Sequence, residues 1–405
     1  MRQAGRTWQL VAAALAAVIA CAAPAAAQPA GAEAPYLDPI WPERLAGGDA
    51  RGVIVPLEGV PSEWRERLLR HGRPGADPDD WRDIEAALPE PERQGADLEG
   101  PNALIFVRRA EEGRPEPGAE VFKYVSAREG PKGPLIERTW FGVYQPREGR
   151  RGVVLLLPGM FGTPRPVVDA AVEQLRSAGW GVVRMMSHPS RFTERFVVVA
   201  DPADGVEDDA AVIARELGER VAEAAYASRA AMDEAVRRFP WMGEGPLVAL
   251  GMSGGAMILS TVVALEPERY DAAVAIAGGA DYLEILRKSN YSDWIGAVDV
   301  SLVAGATPAD ARALREAYLA RAPLDSYHTA RFLRDIPTLM IHGTRDLAVP
   351  AHTGDLLWER AGQPERWTRA MGHEMLFLRL AMRVGDVIDW INTATGEAPA
   401  DQDGK

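Results

Sequence analysis

The chain has 405 residues, 47% of them apolar and 25% charged, the proportions of a globular protein with one large domain or two. Its formal net charge of −13 argues against binding to nucleic acid, because phosphate recognition requires a basic surface. Its single cysteine, Cys21, lies near the N-terminus, so a chain cleaved after it has no disulfide, cysteine–zinc site or thiolate nucleophile.

Residues 1–27 have the pattern of a signal peptide. Arginines are followed by a short apolar core at residues 10–20 and by three alanines at residues 25–27, a suitable cleavage site. We therefore expect a secreted or periplasmic protein. A lipid anchor is the alternative, because residues 18–21 resemble a lipidation motif, and acylation of Cys21 would tether the chain to a membrane.

The next part of the chain divides into an extension and the start of a sheet. Residues 28–100 are rich in Pro, Gly and charge and carry no recognisable motif, which predicts an N-terminal extension. Apolar runs separated by Gly and Pro then predict antiparallel strands at residues 103–107, 120–125 and 135–144. Such strands suit the beginning of a mixed sheet.

From Gly152 onward, apolar runs and amphipathic stretches alternate, which predicts a parallel sheet with crossover helices. Residues 282–333 interrupt the alternation with an insertion, and residues 393–405 are polar and predicted to be disordered. The predicted strands are 153–157, 181–186, 246–250, 272–277, 338–342 and about 365–370. The predicted helices are 167–178, 208–239, 256–265, Thr307 to about Arg321, 352–361 and 376–392.

Gly251-Met252-Ser253-Gly254-Gly255 lies where a predicted strand becomes a helix. A sharp turn there exposes the serine hydroxyl, and small residues on either side let the turn close without clashes. Serine is a poor nucleophile at neutral pH and needs a base to take its proton. Ser253 is therefore the candidate nucleophile, provided that the chain supplies a base and an acid.

Asp346 and His373 are the candidate partners of Ser253. Asp346 follows the predicted strand 338–342, and His373 stands in a Gly-His-Glu loop after the last predicted strand. Histidine is suited to general base catalysis, and a buried carboxylate fixes its tautomer and stabilises the imidazolium. Because the loops after parallel strands gather at one sheet edge, we predict that these three residues form a catalytic triad.

Alternatives remain for both partners. Asp281, which follows the preceding predicted strand, is the alternative acid, and Asp346 would then be a turn residue that caps the next helix. His188, after the second strand of the alternating region, is the second choice for the base. The other histidines are expected to be packing or surface residues: His71, His328, His342 and His352.

The tetrahedral intermediate of such a reaction needs two donors for its oxyanion. One is predicted to be the backbone N–H of Gly254, directly after the nucleophile. The other is expected from the loop after strand 153–157, where Met160 is the first choice and Phe161 the alternative. No phosphate cradle or zinc signature is present, and the acidic clusters lack the spacing of a calcium loop, so no metal or cofactor is expected.

The Ser253 turn, the glycine loop at 158–162, Gly343-Thr344-Arg345-Asp346 and Gly372-His373 together resemble the α/β-hydrolase superfamily. The match covers about residues 103–392, and the chain order Ser…Asp…His is that of the superfamily. The resemblance implies an α/β-hydrolase fold with a mostly parallel doubly wound sheet at residues 101–392 and a helical lid at about 282–333. Tyrosines and Trp294 of this lid are expected either to line an apolar pocket or to pack the lid: Tyr282, Tyr291 and Tyr327.

The resemblance further implies hydrolysis of an ester through an acyl-enzyme without a cofactor. The expected protein is thus a serine hydrolase that cleaves a small-molecule carboxylic ester. A serine peptidase or acyltransferase of the same fold is one alternative, and a non-catalytic binding protein is another.

Overall fold

The computed structural model describes most of the chain after residue 118 and one earlier stretch, in the ranges 52–56, 119–130, 133–159, 165–186, 196–291 and 298–396. The strands are β1 (Gly52–Pro56), β2 (Ala119–Gly130), β3 (Gly133–Tyr144), β4 (Gly152–Leu157), β5 (Trp180–Met185), β6 (Phe196–Ala200), β7 (Leu247–Met252), β8 (Ala272–Ile276), β9 (Val298–Leu302), β10 (Thr338–Gly343) and β11 (Glu365–Arg369).

The α-helices alternate with the later strands. None of them, in the part of the chain described, combines the length and apolar character needed to cross a membrane. They are α1 (Arg165–Ser177), α2 (Val206–Arg238), α3 (Gly254–Leu265), α4 (Tyr282–Lys288), α5 (Pro308–Leu319), α6 (Ser326–Thr329), α7 (Ala351–Arg360), α8 (His373–Ala381) and α9 (Val384–Ala394).

Nine strands form one sheet in the order β1-β2-β3-β5-β4-β7-β8-β10-β11. The pairs β1–β2, β2–β3 and β3–β5 are antiparallel, and every neighbouring pair from β5 to β11 is parallel. The predicted mostly parallel sheet is thus confirmed. Because the parallel strands run in one direction, the loops after β4, β7, β8, β10 and β11 share one edge of the sheet.

The central strands are buried on both faces, since successive side chains of a strand point to opposite sides. In β4, Val153, Leu155 and Leu157 enter one core with α2, α3 and α7, whereas Val154 and Leu156 enter a second core with α1, α8 and α9. An uninterrupted apolar run is what a strand between two helical layers requires. The two layers hold the loops at the carboxyl edge on a rigid base.

The chain between β8 and β10 carries the predicted insertion. It contains α4, β9, α5 and α6, and β9 pairs in parallel with β6 as a separate two-stranded sheet. Helix α5 begins with a capping box between Thr307 and Asp310 and packs against α2, with Leu314 and Tyr318 fully buried. The insertion is therefore fastened to the layer of helices on one face of the sheet.

The structure differs from the predicted elements in three places. The predicted helix 376–392 was wrong, because the chain breaks between α8 and α9 at Arg383, whose φ of −129° is not helical. Strands β6 and β9 were not predicted. The third difference is β1, which lies in the predicted N-terminal extension and pairs with β2. The predicted strand 103–107 lies outside the described residues.

Candidate active site

Ser253 occupies a tight turn between β7 and α3. Its φ of 52° and ψ of −117° are rare for a residue with a side chain, so the backbone is strained there. The Ser253 N–H donates to the Ile276 carbonyl oxygen at 2.8 Å, which fixes the turn to the end of β8. A Cβ at Gly251 would lie 2.5 Å from the Gly255 carbonyl oxygen, and one at Gly255 would lie 2.3 Å from the Leu157 carbonyl oxygen. Both positions therefore require glycine.

Three side chains meet at the carboxyl edge of the sheet, from the turn after β7, the loop after β10 and the start of α8. His373 Nε2 lies 2.9 Å from Ser253 Oγ, and His373 Nδ1 lies 2.6 Å from Asp346 Oδ2. Asp346 and His373 are only 2% and 6% exposed, whereas Ser253 is half-buried. The structure thus brings the three predicted residues together in one hydrogen-bonded line that ends at the Ser253 hydroxyl.

The Asp346 carboxylate is held by the backbone as well as by the histidine. Its Oδ1 accepts from the N–H groups of Ala348 and Val349, each at 2.9 Å, which leaves Oδ2 directed at His373. The Arg345 N–H donates to the Met371 carbonyl oxygen at 3.1 Å. This bond joins the loop that carries Asp346, residues 344–350 and called the acid loop below, to the loop that precedes His373. Asp346 therefore stabilises its own turn and orients the imidazole at the same time.

The His373 ring is enclosed by two aromatic rings at nearly right angles to it. The Phe377 ring centroid lies 5.1 Å away at an interplanar angle of 75°, and the Tyr291 centroid lies 5.8 Å away at 81°. Such edge-to-face contacts are favourable for aromatic pairs and restrict rotation of the imidazole. Both ring nitrogens consequently stay aligned with their partners.

Of the candidate oxyanion donors, only Gly254 belongs to the part of the chain that the structure describes. Gly254 is buried and is the first residue of α3, where helix N–H groups have no partner within the helix and the helix dipole favours negative charge. Met160 and Phe161 lie outside the described residues. Since Gly255 approaches Leu157 closely, the loop after β4 starts beside the Ser253 turn.

Asp281, the alternative acid, faces a different partner. It caps α4 by accepting from the Glu284 N–H at 3.1 Å, and its other oxygen accepts a hydrogen bond from Arg315 Nε. The side chain is fully buried, and this burial, opposed by Arg315 and reinforced by neighbouring Asp325, raises its pKa to about 7. Both carboxylate oxygens are thus engaged away from His373.

The remaining sequence candidates contribute packing. Tyr282 is buried and donates to the Met257 carbonyl oxygen at 2.7 Å, and Tyr327 is buried with the Arg360 guanidinium 3.6 Å from its ring centroid. His342 is buried, which lowers its pKa, and its imidazole lies against Gly354 of α7. His188 and Trp294 lie outside the described residues. In the ranges described, no three potential metal ligands converge.

Sequence reasoning missed the surroundings of the histidine. Tyr291 donates a hydrogen bond to Glu374, the residue after His373, and Ser289 donates to the acid loop at the Ala348 carbonyl oxygen. Ser289 carries no motif that could have revealed this contact. Tyr291 was considered as a pocket residue, but its distance from His373 in the chain hid the pairing.

Comparison with known proteins gives one family match. The model of the prolyl oligopeptidase family matches residues 218–360, a segment that includes Ser253 and Asp346 and ends before His373. The curated proteins provide no match to the chain. The sheet order, the turn at Ser253 and this family match place the chain in the α/β-hydrolase superfamily, among its serine hydrolases.

Solved structures similar to the chain include esterases and a peptidase. Est1E from Butyrivibrio proteoclasticus is 12% identical with a TM-score of 0.41, over 66% of this chain and 98% of that one. The Pyrococcus furiosus esterase Pf2001 is 14% identical with a TM-score of 0.40, over 67% and 92%. The Pyrococcus horikoshii acylaminoacyl peptidase is 12% identical with a TM-score of 0.45, over 73% of this chain and 45% of the peptidase. The match thus spans less than half of that peptidase.

Proposed function

We propose that this chain hydrolyses a small-molecule carboxylic ester through Ser253, His373 and Asp346. The observation that carries the proposal is the hydrogen-bonded line from Asp346 Oδ2 through both nitrogens of His373 to Ser253 Oγ, at 2.6 and 2.9 Å. These separations lie within the reach required between a nucleophile, its base and the group that orients the base.

The first half of the reaction transfers the acyl group to the enzyme. His373 holds a proton on Nδ1 towards Asp346, so Nε2 is free to take the proton of Ser253 Oγ as this oxygen attacks the ester carbonyl carbon. The Gly254 N–H is the proposed donor to the oxyanion, with Met160 as the expected second donor. The tetrahedral intermediate then collapses, His373 protonates the departing alkoxide, and an alcohol leaves.

The second half releases the acid. A water molecule gives a proton to His373 Nε2 and attacks the acyl carbon, and the second tetrahedral intermediate expels Ser253 Oγ, which recovers its proton from the imidazolium. Asp346 stabilises the imidazolium that forms in each half. All groups needed for these steps belong to the chain, apart from the water that is consumed.

A peptidase of the same fold is the second candidate, because the matching family model is that of the prolyl oligopeptidases. The acyl-enzyme chemistry is shared, and the difference lies in the leaving group. An amine leaves less readily than an alcohol and requires effective protonation by the histidine. Ester and amide substrates with one common acyl group therefore distinguish the two functions directly.

The test begins with a fluorophosphonate probe on the purified protein, followed by peptide mapping. We expect labelling at Ser253 and its loss in Ser253→Ala, while Ser301→Ala, which alters an exposed serine of β9, labels like the wild type. Hydrolysis should fall by about 10⁴-fold or more in Ser253→Ala, as it does when a triad nucleophile is removed.

Substrate pairs then complete the assignment. A panel of nitrophenyl esters and the matching nitroanilides, with one acyl group per pair, should show turnover of the esters well above that of the anilides. Comparable turnover of an anilide would support the peptidase instead. Failure of a folded wild-type sample to label or turn over any substrate would support a binding protein.

The proposal includes the location of the enzyme. We propose that residues 1–27 are removed and that the protein acts in the periplasm or outside the cell. The intact mass of the protein recovered from a secreting host should correspond to a chain that begins at Gln28. A mass that includes acyl chains on Cys21 would support the lipid-anchored alternative instead.

A further inference from the structure

The segment Ser289–Tyr291, directly after α4, is hydrogen-bonded to the loop that follows Asp346. Ser289 Oγ donates to the Ala348 carbonyl oxygen at 2.7 Å, and the Asn290 N–H donates to the Leu347 carbonyl oxygen at 2.9 Å. Ser289 Oγ also accepts from the Tyr291 N–H at 3.0 Å, which fixes the hydroxyl. The predicted insertion thus touches the acid loop through two adjacent carbonyl groups.

The peptide groups that accept these bonds are the same ones that hold the Asp346 carboxylate. The Leu347–Ala348 peptide accepts from Asn290 on one side and donates its N–H to Asp346 Oδ1 on the other. The Ala348–Val349 peptide accepts from Ser289 and donates its N–H to the same oxygen. Hydrogen bonds linked through one peptide group polarise each other, so each outer bond strengthens the inner bond to the carboxylate.

Two residues further along, Tyr291 contacts the histidine of the triad. Its ring stands edge-to-face on the His373 imidazole, and its hydroxyl donates to Glu374, the neighbour of His373 in α8. Burial and the bond to Glu374 raise the pKa of Tyr291, so the phenol remains protonated and keeps its role as donor. One three-residue segment consequently contacts both the acid loop and the histidine.

We propose that Ser289 and Tyr291 are positioning residues for the triad, Ser289 acting on Asp346 through the Ala348 peptide and Tyr291 acting directly on the His373 ring. The inference rests on the proposed function and assigns this role to a segment of the insertion between β8 and β10. Neither side chain takes part in proton transfer. Their effect comes from keeping the acid and the base in line, where a displacement of about 1 Å costs roughly 10²-fold in rate.

Four variants separate the two contacts and grade their loss. Ser289→Ala removes the hydroxyl, and Ser289→Thr retains it. Tyr291→Leu removes the ring and its hydroxyl, and Tyr291→Phe retains the ring while it frees Glu374. Tyr270→Leu is the control, because it also replaces a packed tyrosine by leucine. Tyr270 is buried just before the amino end of β8, at the sheet edge opposite Ser253.

We expect kcat and the rate of fluorophosphonate labelling to fall about 10- to 100-fold in Ser289→Ala and Tyr291→Leu, with KM changed less than about threefold. Ser289→Thr should restore most of the rate, and Tyr291→Phe should lie between the wild type and Tyr291→Leu. Tyr270→Leu should lower the melting temperature without lowering the labelling rate of the folded protein. Labelling rates that follow melting temperature across all variants would overturn the inference.

A readout that needs no turnover separates this inference from the proposed function. The His373 Nδ1–H donated to Asp346 should give a far-downfield proton resonance in NMR spectra, assigned by its loss in His373→Asn. We expect Ser289→Ala and Tyr291→Leu to move or broaden this resonance and Tyr270→Leu to leave it in place. If the probe does not label the wild type but the resonance moves in Ser289→Ala and Tyr291→Leu, the proposed function is refuted and the positioning role stands. A resonance unchanged in every variant would refute the positioning role.

Discussion

Two buried aspartates stand at the carboxyl ends of neighbouring strands, Asp281 after β8 and Asp346 after β10, and their side chains face different partners. Both have less than 3% of their surface exposed, with 0% for Asp281 and 2% for Asp346. Both also accept hydrogen bonds from the backbone of the next helix or turn. They differ in the partner of the remaining oxygen, which is Arg315 for Asp281 and His373 for Asp346.

The difference shows that burial at the carboxyl edge of the sheet does not by itself make an aspartate the candidate triad acid. Asp281 belongs to a network in which Asp325 accepts from the N–H groups of Asp281 and Tyr282 at 2.8 and 2.7 Å. Asp325 also accepts from the Tyr318 hydroxyl of α5 at 2.7 Å, so the network ties the insertion to the end of β8. Asp281 faces a fixed cation that cannot exchange protons, whereas Asp346 faces an imidazole that can.

The largest difference between the two aspartates is expected in catalysis. Asp346→Asn should lower kcat by about 10³- to 10⁴-fold, because an amide neither stabilises the imidazolium nor enforces the tautomer that leaves Nε2 free. Steady-state ester hydrolysis and the labelling rate of Ser253 both measure this loss, and circular dichroism checks the fold. Retention of activity to within about tenfold would show that Asp346 is a turn residue.

The same substitution at the other aspartate should affect stability instead. Asp281→Asn keeps an oxygen to cap α4 and places an amide NH2 group, which is a donor, where Oδ2 accepts from Arg315 Nε. The Arg315 side chain is 29% exposed and so retains some contact with water. We expect the free energy of unfolding to fall by about 1–3 kcal/mol at pH 7, with activity within a few-fold of the wild type. Urea denaturation gives the first quantity. A loss of activity as large as that of Asp346→Asn would reverse the assignment of the acid.

Much of the sheet could be predicted because its signals are local. The apolar run of β4 and the glycines around Ser253 specify a buried strand and a tight turn within a few residues. Strands β6 and β9 were missed because each is a short strand that becomes stable by pairing with a distant segment. The break between α8 and α9 at Arg383 has no proline to mark it, and the nearby Gly385 lies inside α9, so periodicity alone joined the two helices.

The candidate site also has a part that local sequence signals predict and a part that depends on contacts between distant segments. The parallel topology alone brings residues that follow a strand or begin the next helix to one edge of the sheet, and this holds for Ser253, Asp346 and His373. The choice between Asp346 and Asp281 required the structure, because the two residues follow neighbouring strands. The sequence does not show that Arg315 donates a hydrogen bond to Asp281. The contacts of Ser289 and Tyr291 also depend on how the insertion folds back.

The smallest expected effect concerns pH and separates the two carboxyl groups without an activity assay. An unfolded chain releases the Asp281 proton near the ordinary value of 3.8, whereas burial raises the pKa of Asp281 to about 7 in the folded protein. Between about pH 4 and pH 7 the folded state therefore binds the extra proton, and the stability that it contributes is lost as the pH rises.

Asp281→Asn has no such proton, so the advantage of the wild type in free energy of unfolding should be larger at pH 5 than at pH 8. Contributions from carboxylates that do not interact with Asp281 cancel in this comparison. An advantage that is constant or that grows with pH would mean that Asp281 is ionised in the folded protein and that Arg315, rather than burial, determines its charge.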